Sequence, residues 1–519
     1  MESILPETRK DNQPRILILF APKFREFGAD VGNELVRRGT AESIDGICTG
    51  GPRTIQAVRE RLGKNVGMLY DLESDEGNWT TPGDDVVPSL KQMEEELGPS
   101  IVGKTLTSDR RVGAGFVMHG DVRPSALKTE ALRVPALAPT AYIARLYRYL
   151  DEILEITKPR LVFFYAIAGA PAFLLAQMCV KRGITVKHYV SARLGSRALI
   201  DTDPLGRFFI VRDVLKAERD EKITLEHLAD NAHEALQTFR DRPSPPEYES
   251  NNAKKLKEAS IFRAFASAMK LTAAFALKRL RRRNITPTSV ARTWFEVKLA
   301  IKRSRYKENS FASIPPGYRV VFFPLHVDPE ASTMVLAPWH TNQLAVIEQL
   351  AKSIPADAVL AVKEHKWMIG RRPDDFYRRL SALPRVVLVD PFSSGLWWIQ
   401  NSDLTVVITG TSAWEAMRLG KPALVVGDSP YLTVGEGVVH EPCLNNLPQA
   451  IQTAFQQPPA RDEALVRFLR ALYHVSFEFK SSILWNEYLA HDEAERNEAV
   501  RNFCDGIGRS DPIFTNHIC

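Results

Sequence analysis

Two short stretches in the C-terminal half carry residue types that could do chemistry. The first is Thr409-Gly410-Thr411-Ser412, with Glu415 following, inside LTVVITGTSAWEAMRLGKPALVVG (404–427). Hydroxyl side chains around a glycine let an anion approach backbone amides closely, and a helix opening there adds partial positive charge. Ser412 and Glu415 also fit a capping box, in which each side chain satisfies an orphan amide of the first turn. Glu415 therefore has two readings, a helix cap or a contact to a ribose. The second stretch is Lys363-Glu364-His365, which ends the apolar run AVLAV. Strand alternation puts Lys363 and His365 on one side and Glu364 on the other. An imidazole in that position can donate to an oxyanion or move a proton near neutral pH.

Further candidates stand at other strand ends. His326, Asp328 and Glu330 follow VVFFPL, and Asp-Pro-Glu is equally an ordinary helix start. Tyr431, in GDSPY, either packs or stacks on a base. In the N-terminal half, YVSARLGSRALIDTDPLGR places Arg193, Arg197, Asp201 and Asp203 after a strand. The fork of an arginine matches a carboxylate or phosphate, so these could receive an anionic acceptor; ion pairs within a surface loop are the alternative.

The elements that must position these residues are legible as a repeating pattern. RILILF, a helix-like run closed by Gly39, and IDGICTG form one strand-helix-strand unit. RLVFFYAIAG, APAFLLAQMCVKRG and ITVKHYV form another, led in by the amphipathic AYIARLYRYLDEILEITKP. Gly169 and Pro171 break the apolar run 161–180, so it reads as strand, turn and helix and not as a membrane span. A second set of such units starts at YRVVFFPLHV. Repeated units of this kind imply parallel sheets covered on both faces. Four segments are expected: 1–241, an N-terminal Rossmann-like domain; 242–317, a linker and basic insert; 318–458, a C-terminal Rossmann-like domain; and 459–519, helices.

The chain has 519 residues, 45% hydrophobic and 25% charged, which is the balance of an ordinary globular protein. Cys48, Cys179, Cys443, Cys504 and Cys519 lie far apart and are odd in number, which argues for a reducing compartment. No basic-then-apolar leader opens the sequence, and a cytoplasmic location is expected. No metal motif is present, and no Gly-x-Gly-x-x-Gly follows the first strand, so neither a bound metal nor a dinucleotide cofactor is expected.

Net charge is +6 overall, yet residues 251–310 hold 16 Lys and Arg against 3 Glu, which leaves −7 for the rest. Apolar and basic residues alternate there at helical spacing, as in helices that lie on anionic membranes. Residues 254–307 are therefore expected to meet an anionic membrane surface, with a solvated helical hairpin packed on its apolar stripe as the alternative. Nucleic acid is the competing partner, but no recognition motif accompanies the charge.

In order, VVFFPLHVDPEAST, NQLAVIEQLAKSIP, VKEH and NSDLTVVITGTSAWEAMRLGKPALVVGDSPY resemble the capsule polysaccharide biosynthesis family, which includes capsule Kdo transferases. KPRLVFFYAIAGAPAF and HYVSARLGSRALIDTDPLGR are similar in kind to proteins of that group. The resemblance implies an α/β, GT-B-like glycosyltransferase, with two Rossmann-like domains facing a cleft and a nucleotide-sugar donor on the C-terminal half. It matches Lys363, Glu364 and His365 to the family's K-E-H-P, Thr411, Ser412 and Glu415 to its turn, and Gly427 and Tyr431 to its terminal G…Y. Lys366 stands where the family usually has proline, and His326 where it commonly has glutamine. Resemblance and strand-end chemistry together give His365 and Lys363 as expected catalytic residues, with His326 added on its strand-end chemistry alone, without a metal. Implied substrate contacts are Thr409, Gly410, Thr411, Ser412, Glu415, Glu364 and Tyr431 for the donor, and Arg193 and Arg197 for a saccharide or glycolipid acceptor. A CDP-alditol glycerophosphotransferase, a sugar-nucleotide 2-epimerase and a non-catalytic assembly factor are the alternatives.

Overall fold

Short apolar runs, cut by glycine and proline, become the strands of two sheets. The computed structural model describes residues 15–77, 79–110, 137–243, 261–276, 287–306, 313–373, 375–485 and 488–510. The linker expected at 242–252 lies almost wholly outside them, as does the Arg281–Arg283 cluster of the basic insert.

The first sheet contains β1 (Ile16–Phe20), β2 (Ile44–Cys48), β3 (Val66–Asp71), β4 (Leu161–Phe164), β5 (Thr185–Ser191) and β6 (Arg197–Asp201). Their order is β3-β2-β1-β4-β5-β6, with Phe477–Glu478 added beyond β6 as a seventh strand. β1 to β5 pair in parallel, whereas β6 returns antiparallel to β5. The second sheet holds β7 (Arg319–Pro324), β8 (Ala358–Lys363), β9 (Val386–Val389), β10 (Leu404–Val407), β11 (Ala423–Val425) and β12 (Val438–His440). Its order is β9-β8-β7-β10-β11-β12, and every pair is parallel. Both sheets thus reverse direction beside their own first strand, the doubly wound order of a Rossmann domain. Two such domains make the GT-B-like architecture.

The apolar run 161–180 divides into β4, a turn at Gly169 with φ +87°, and helix Ala170–Lys181. Among the described residues no helix is long and apolar enough to cross a membrane.

The described residues beyond 459 do not form a helical unit of their own. Helix Asp462–Val475 packs against helices Phe209–Arg219 and Ala229–Asp241 of the first domain, and Phe468 meets Trp414 of the second. The chain then re-enters the first domain. Phe477–Glu478 joins β6, and helix Glu493–Arg509 covers helix Arg25–Arg37. Phe503, fully buried, touches Phe24, Phe27, Phe163 and Tyr189.

Contacts between the domains border the carboxyl ends of both sheets. Arg207 reaches Asp428 at 3.8 Å, and the edge of Phe208 meets Tyr431. Helix Ile101–Ser108 packs on the short helix Ala331–Met334, and Val335 joins the first domain's core.

Phe503→Ala empties an aromatic cluster built from both ends of the sequence. We expect it to destabilise the first domain by about 3–5 kcal/mol, read as a lowered urea midpoint for that domain's transition. An unchanged midpoint would mean that helix Glu493–Arg509 contributes nothing to that domain's stability.

Candidate active site

The exits of β7 and β8 are tied together by one buried arginine. Arg372, 1% exposed at its side chain, pairs with Asp328 at 2.5 Å and with Glu364 at 2.9 Å. Its third nitrogen donates to the His326 carbonyl at 2.7 Å. Gln343 completes the arrangement: its oxygen accepts the His326 amide at 2.7 Å, and its amide donates to Asp328. Tyr377 donates to Glu364 at 2.8 Å. Burial alone disfavours the guanidinium charge, but Glu364 and Asp328 outweigh it and hold Arg372 above its ordinary pKa. Glu364 is therefore an internal counter-ion, 0% exposed, and not a donor contact as its place in the motif implied. The sequence clue to Arg372 was indirect: a carboxylate buried at a strand end needs a cation, and Arg371 and Arg372 are the next ones beyond Lys366.

β7 and β10 lie side by side at the point where the strand order reverses, which is where open α/β sheets bind ligands. His326 leaves β7 directly beneath the turn that leaves β10. Its Nε2 lies 3.5 Å from the Thr409 amide, and a Cβ on Gly410 would come within 3.1 Å of its ring. Gly410 is thus the residue that lets the turn sit on the imidazole. The Thr409 hydroxyl donates to the Ser332 carbonyl at 2.9 Å, so it braces the turn. Gly410, Thr411 and Ser412 remain partly exposed.

The capping box expected of Ser412 and Glu415 does not form. The Glu415 amide donates to the Thr411 carbonyl, so Thr411 is the N-cap and Ser412 already lies inside the helix Ser412–Arg418. The Thr411 hydroxyl stands 3.5 Å from the Glu415 carboxylate instead.

His365 follows β8 and closes the same corner. Its Nδ1 accepts the Trp367 amide at 3.3 Å, which leaves Nε2–H as the donor of the neutral ring. Burial lowers its pKa to about 4; Lys363, Arg372 and Lys366 act the same way, against Glu364. His326 is also lowered to about 4, by burial first and then by Arg372 and His365. Both rings are therefore neutral hydrogen-bonding groups at neutral pH. The Lys363 ammonium donates to the Pro391 carbonyl at 2.9 Å, within the neighbouring β9 loop.

The remaining expected residues divide. Tyr431 is 3% exposed and stacks on Trp414 with ring centroids 5.4 Å apart, so it is core at the domain junction and offers no face to a base. Arg197 spends its donors on Ser476 and Glu478, holding the added strand. Asp201 accepts the Thr202 and Phe208 amides and shapes the loop that carries Arg207; Asp203 pairs with Arg207. Arg193, at φ +55°, faces the second domain and acts electrostatically on Glu330. Arg110 does the same from the end of helix Ile101–Ser108, a residue no sequence motif marked. Burial lowers the Arg110 pKa.

No sequence family matches this chain, and no curated protein matches it. Solved structures similar to it include the beta Kdo 2,7 transferase of Thermosulfurimonas dismutans KpsC. That match has 11% identity, covers 69% of this chain and 89% of that one, and has a TM-score of 0.35. The UDP-GlcNAc 2-epimerase of Neisseria meningitidis, bound to UDP-GlcNAc, is similar at 13% identity, 92% and 100% coverage and a TM-score of 0.23. The glycotransferase of kitacinnamycin is similar at 14%, with 96% and 99% coverage and a TM-score of 0.28. The architecture assigned here rests on this chain's own two strand orders.

Two outcomes follow from the site. Arg372→Met leaves Asp328 and Glu364 buried without their cation, and should lower the second domain's stability by about 3–5 kcal/mol. Adding Glu364→Gln should restore part of that loss in urea unfolding; no restoration would show that the pair is not coupled. The lowered histidine pKa values set a pH dependence. Between pH about 4 and the unfolded value of 6.5 the unfolded chain binds more protons, so stability is full above 6.5 and declines as pH falls toward 4. His326→Gln with His365→Gln should flatten that slope in melting curves taken across the window.

Proposed function

We propose that the protein is a glycosyltransferase of the capsule polysaccharide biosynthesis type. It moves a sugar from a nucleotide-sugar donor to a surface polysaccharide or glycolipid acceptor at the inner face of the cytoplasmic membrane. The observation that carries this reading is the convergence of His326, Thr409–Ser412 and His365 at the reversal point of the second sheet.

In this reading the donor diphosphate lies over the Gly410 turn. The Thr411 and Ser412 hydroxyls and the turn amides contact its oxygens, and His365 donates from Nε2 to the leaving phosphate. His326 supports the turn from below as a neutral ring, and Lys363 supplies positive charge one strand away. Charge developing on the leaving group is thus met by prearranged donors, without a bound metal. The acceptor enters from the first domain, where Arg193 and Arg110 suit an anionic group, opposite Glu330.

A thermal-shift screen of CMP, CDP, UDP and GDP tests the donor site. A nucleotide at a hundred times its Kd adds roughly 2.7 kcal/mol to the domain that binds it. We expect one nucleotide to raise Tm selectively and His365→Ala to reduce the shift. CMP would indicate a Kdo- or sialic-acid-type donor, CDP an alditol phosphate, and UDP or GDP a hexose. No shift with any of them would remove the donor site and favour an assembly factor.

A further inference from the structure

The basic insert is a helical hairpin with an uncovered apolar face. Helices Ile261–Ala276 and Pro287–Tyr306 pack on each other through residues such as Ala268 and Val297, both buried. On one side they present Phe262, 87% exposed, with Phe265, Met269, Trp294 and Ile301 between 37% and 48% exposed. The spacing 262, 265, 269 on one helix and 294, 298, 301 on the other keeps each set on a single helical face. The T-shaped contact of Phe265 with Trp294, and the Trp294 indole bond to Thr272 at 3.0 Å, bring the two faces together.

The surroundings of this face say what covers it. Among the described side chains of the two helices five are basic, Arg263, Lys270, Lys298, Lys302 and Arg303, against a single acid, Glu296. Arg263, Lys270 and Lys298 stand exposed beside the apolar side chains. Aromatic and aliphatic groups flanked by basic ones match the boundary of an anionic bilayer: rings enter the acyl edge while cations meet headgroup phosphates.

The hairpin is also fixed to the candidate active site. Gly370, at φ +80°, lies where a Cβ would come within 3.1 Å of Leu299 and 3.2 Å of Arg303. Arg303 donates to the Ile369 carbonyl at 3.2 Å. That loop continues directly into Arg372, the residue that ties β7 to β8.

We propose that Phe262, Phe265, Met269, Trp294 and Ile301 form a docking face for an anionic lipid bilayer, which the Gly370 contact holds at a set distance from the donor site. The inference gives the membrane acceptor of the proposed function its means of approach, but its test reads no turnover and no nucleotide.

The test is co-sedimentation of the full chain with vesicles of phosphatidylcholine, with and without phosphatidylglycerol. Binding should require phosphatidylglycerol and weaken as salt is raised. Phe262→Ser with Phe265→Ser should reduce it by roughly tenfold or more at an unchanged Tm, since apolar burial and charge both contribute. Absence of sedimentation, equal binding to phosphatidylcholine alone, or full binding by the double variant would each overturn the proposal. So would RNA binding without vesicle binding, or a wild-type dimer in light scattering that the double variant abolishes. A nucleotide shift without vesicle binding would remove the docking face and leave the transferase reading standing; vesicle binding without a nucleotide shift would do the reverse.

Discussion

The second domain depends on a charge that has no access to water. Arg372 sits between Asp328 and Glu364, and a guanidinium in that position is stable only while both carboxylates are present. The cost of desolvating three ions is offset by their mutual bonds and by the His326 carbonyl, Gln343 and Tyr377. What the arrangement adds is definition. A planar fork with fixed donors cannot satisfy two carboxylates and a carbonyl unless the ends of β7 and β8 hold one geometry. His326 and His365 extend directly from those ends and bond the cluster through their backbones, the His326 carbonyl accepting from Arg372 and the His365 amide donating to Glu364, so the ion cluster sets their orientation.

The two imidazoles show how burial changes what a residue type can do. Exposed, each would titrate near physiological pH and serve as acid or base. Here both are kept neutral, and His365 has one nitrogen committed to a backbone amide. The ring is then a directed donor, suited to a phosphate oxygen and poorly suited to shuttling protons. Gly410 performs the corresponding task for the backbone, since a Cβ there would crowd the His326 ring at 3.1 Å.

Much of the fold was legible because strands buried on both faces are written as short apolar runs. Ile16–Phe20, Leu161–Phe164 and Ala358–Lys363 all have that form. β3 and Phe477–Glu478 were not legible: β3 is half-exposed along its whole length and mixed in composition, and two residues carry no period. At the site, strand ends located His326, His365 and the Gly410 turn, because glycine and hydroxyl residues between a strand and a helix are a local signal. Glu364, Tyr431 and Arg197 were misassigned for a common reason. Their partners, Arg372, Trp414 and Ser476, come from other elements, and single-residue chemistry does not reveal whether a charge or ring is already satisfied. Arg372 itself is set by tertiary contacts alone.

The return of the chain after Val475 has a consequence for biosynthesis. The strands of the second sheet run without interruption from Arg319 to His440, and helix Asp462–Val475, which shares the core of Phe322, Val407 and Trp414, follows shortly after. The first domain must wait: its seventh strand and the helix carrying Phe503 are made after everything else. Until Phe477 and Phe503 emerge, the nascent first sheet exposes an open edge at β6 and an uncovered aromatic surface around Phe24, Phe27 and Phe163. That interval is the one in which a chaperone would find the most to hold.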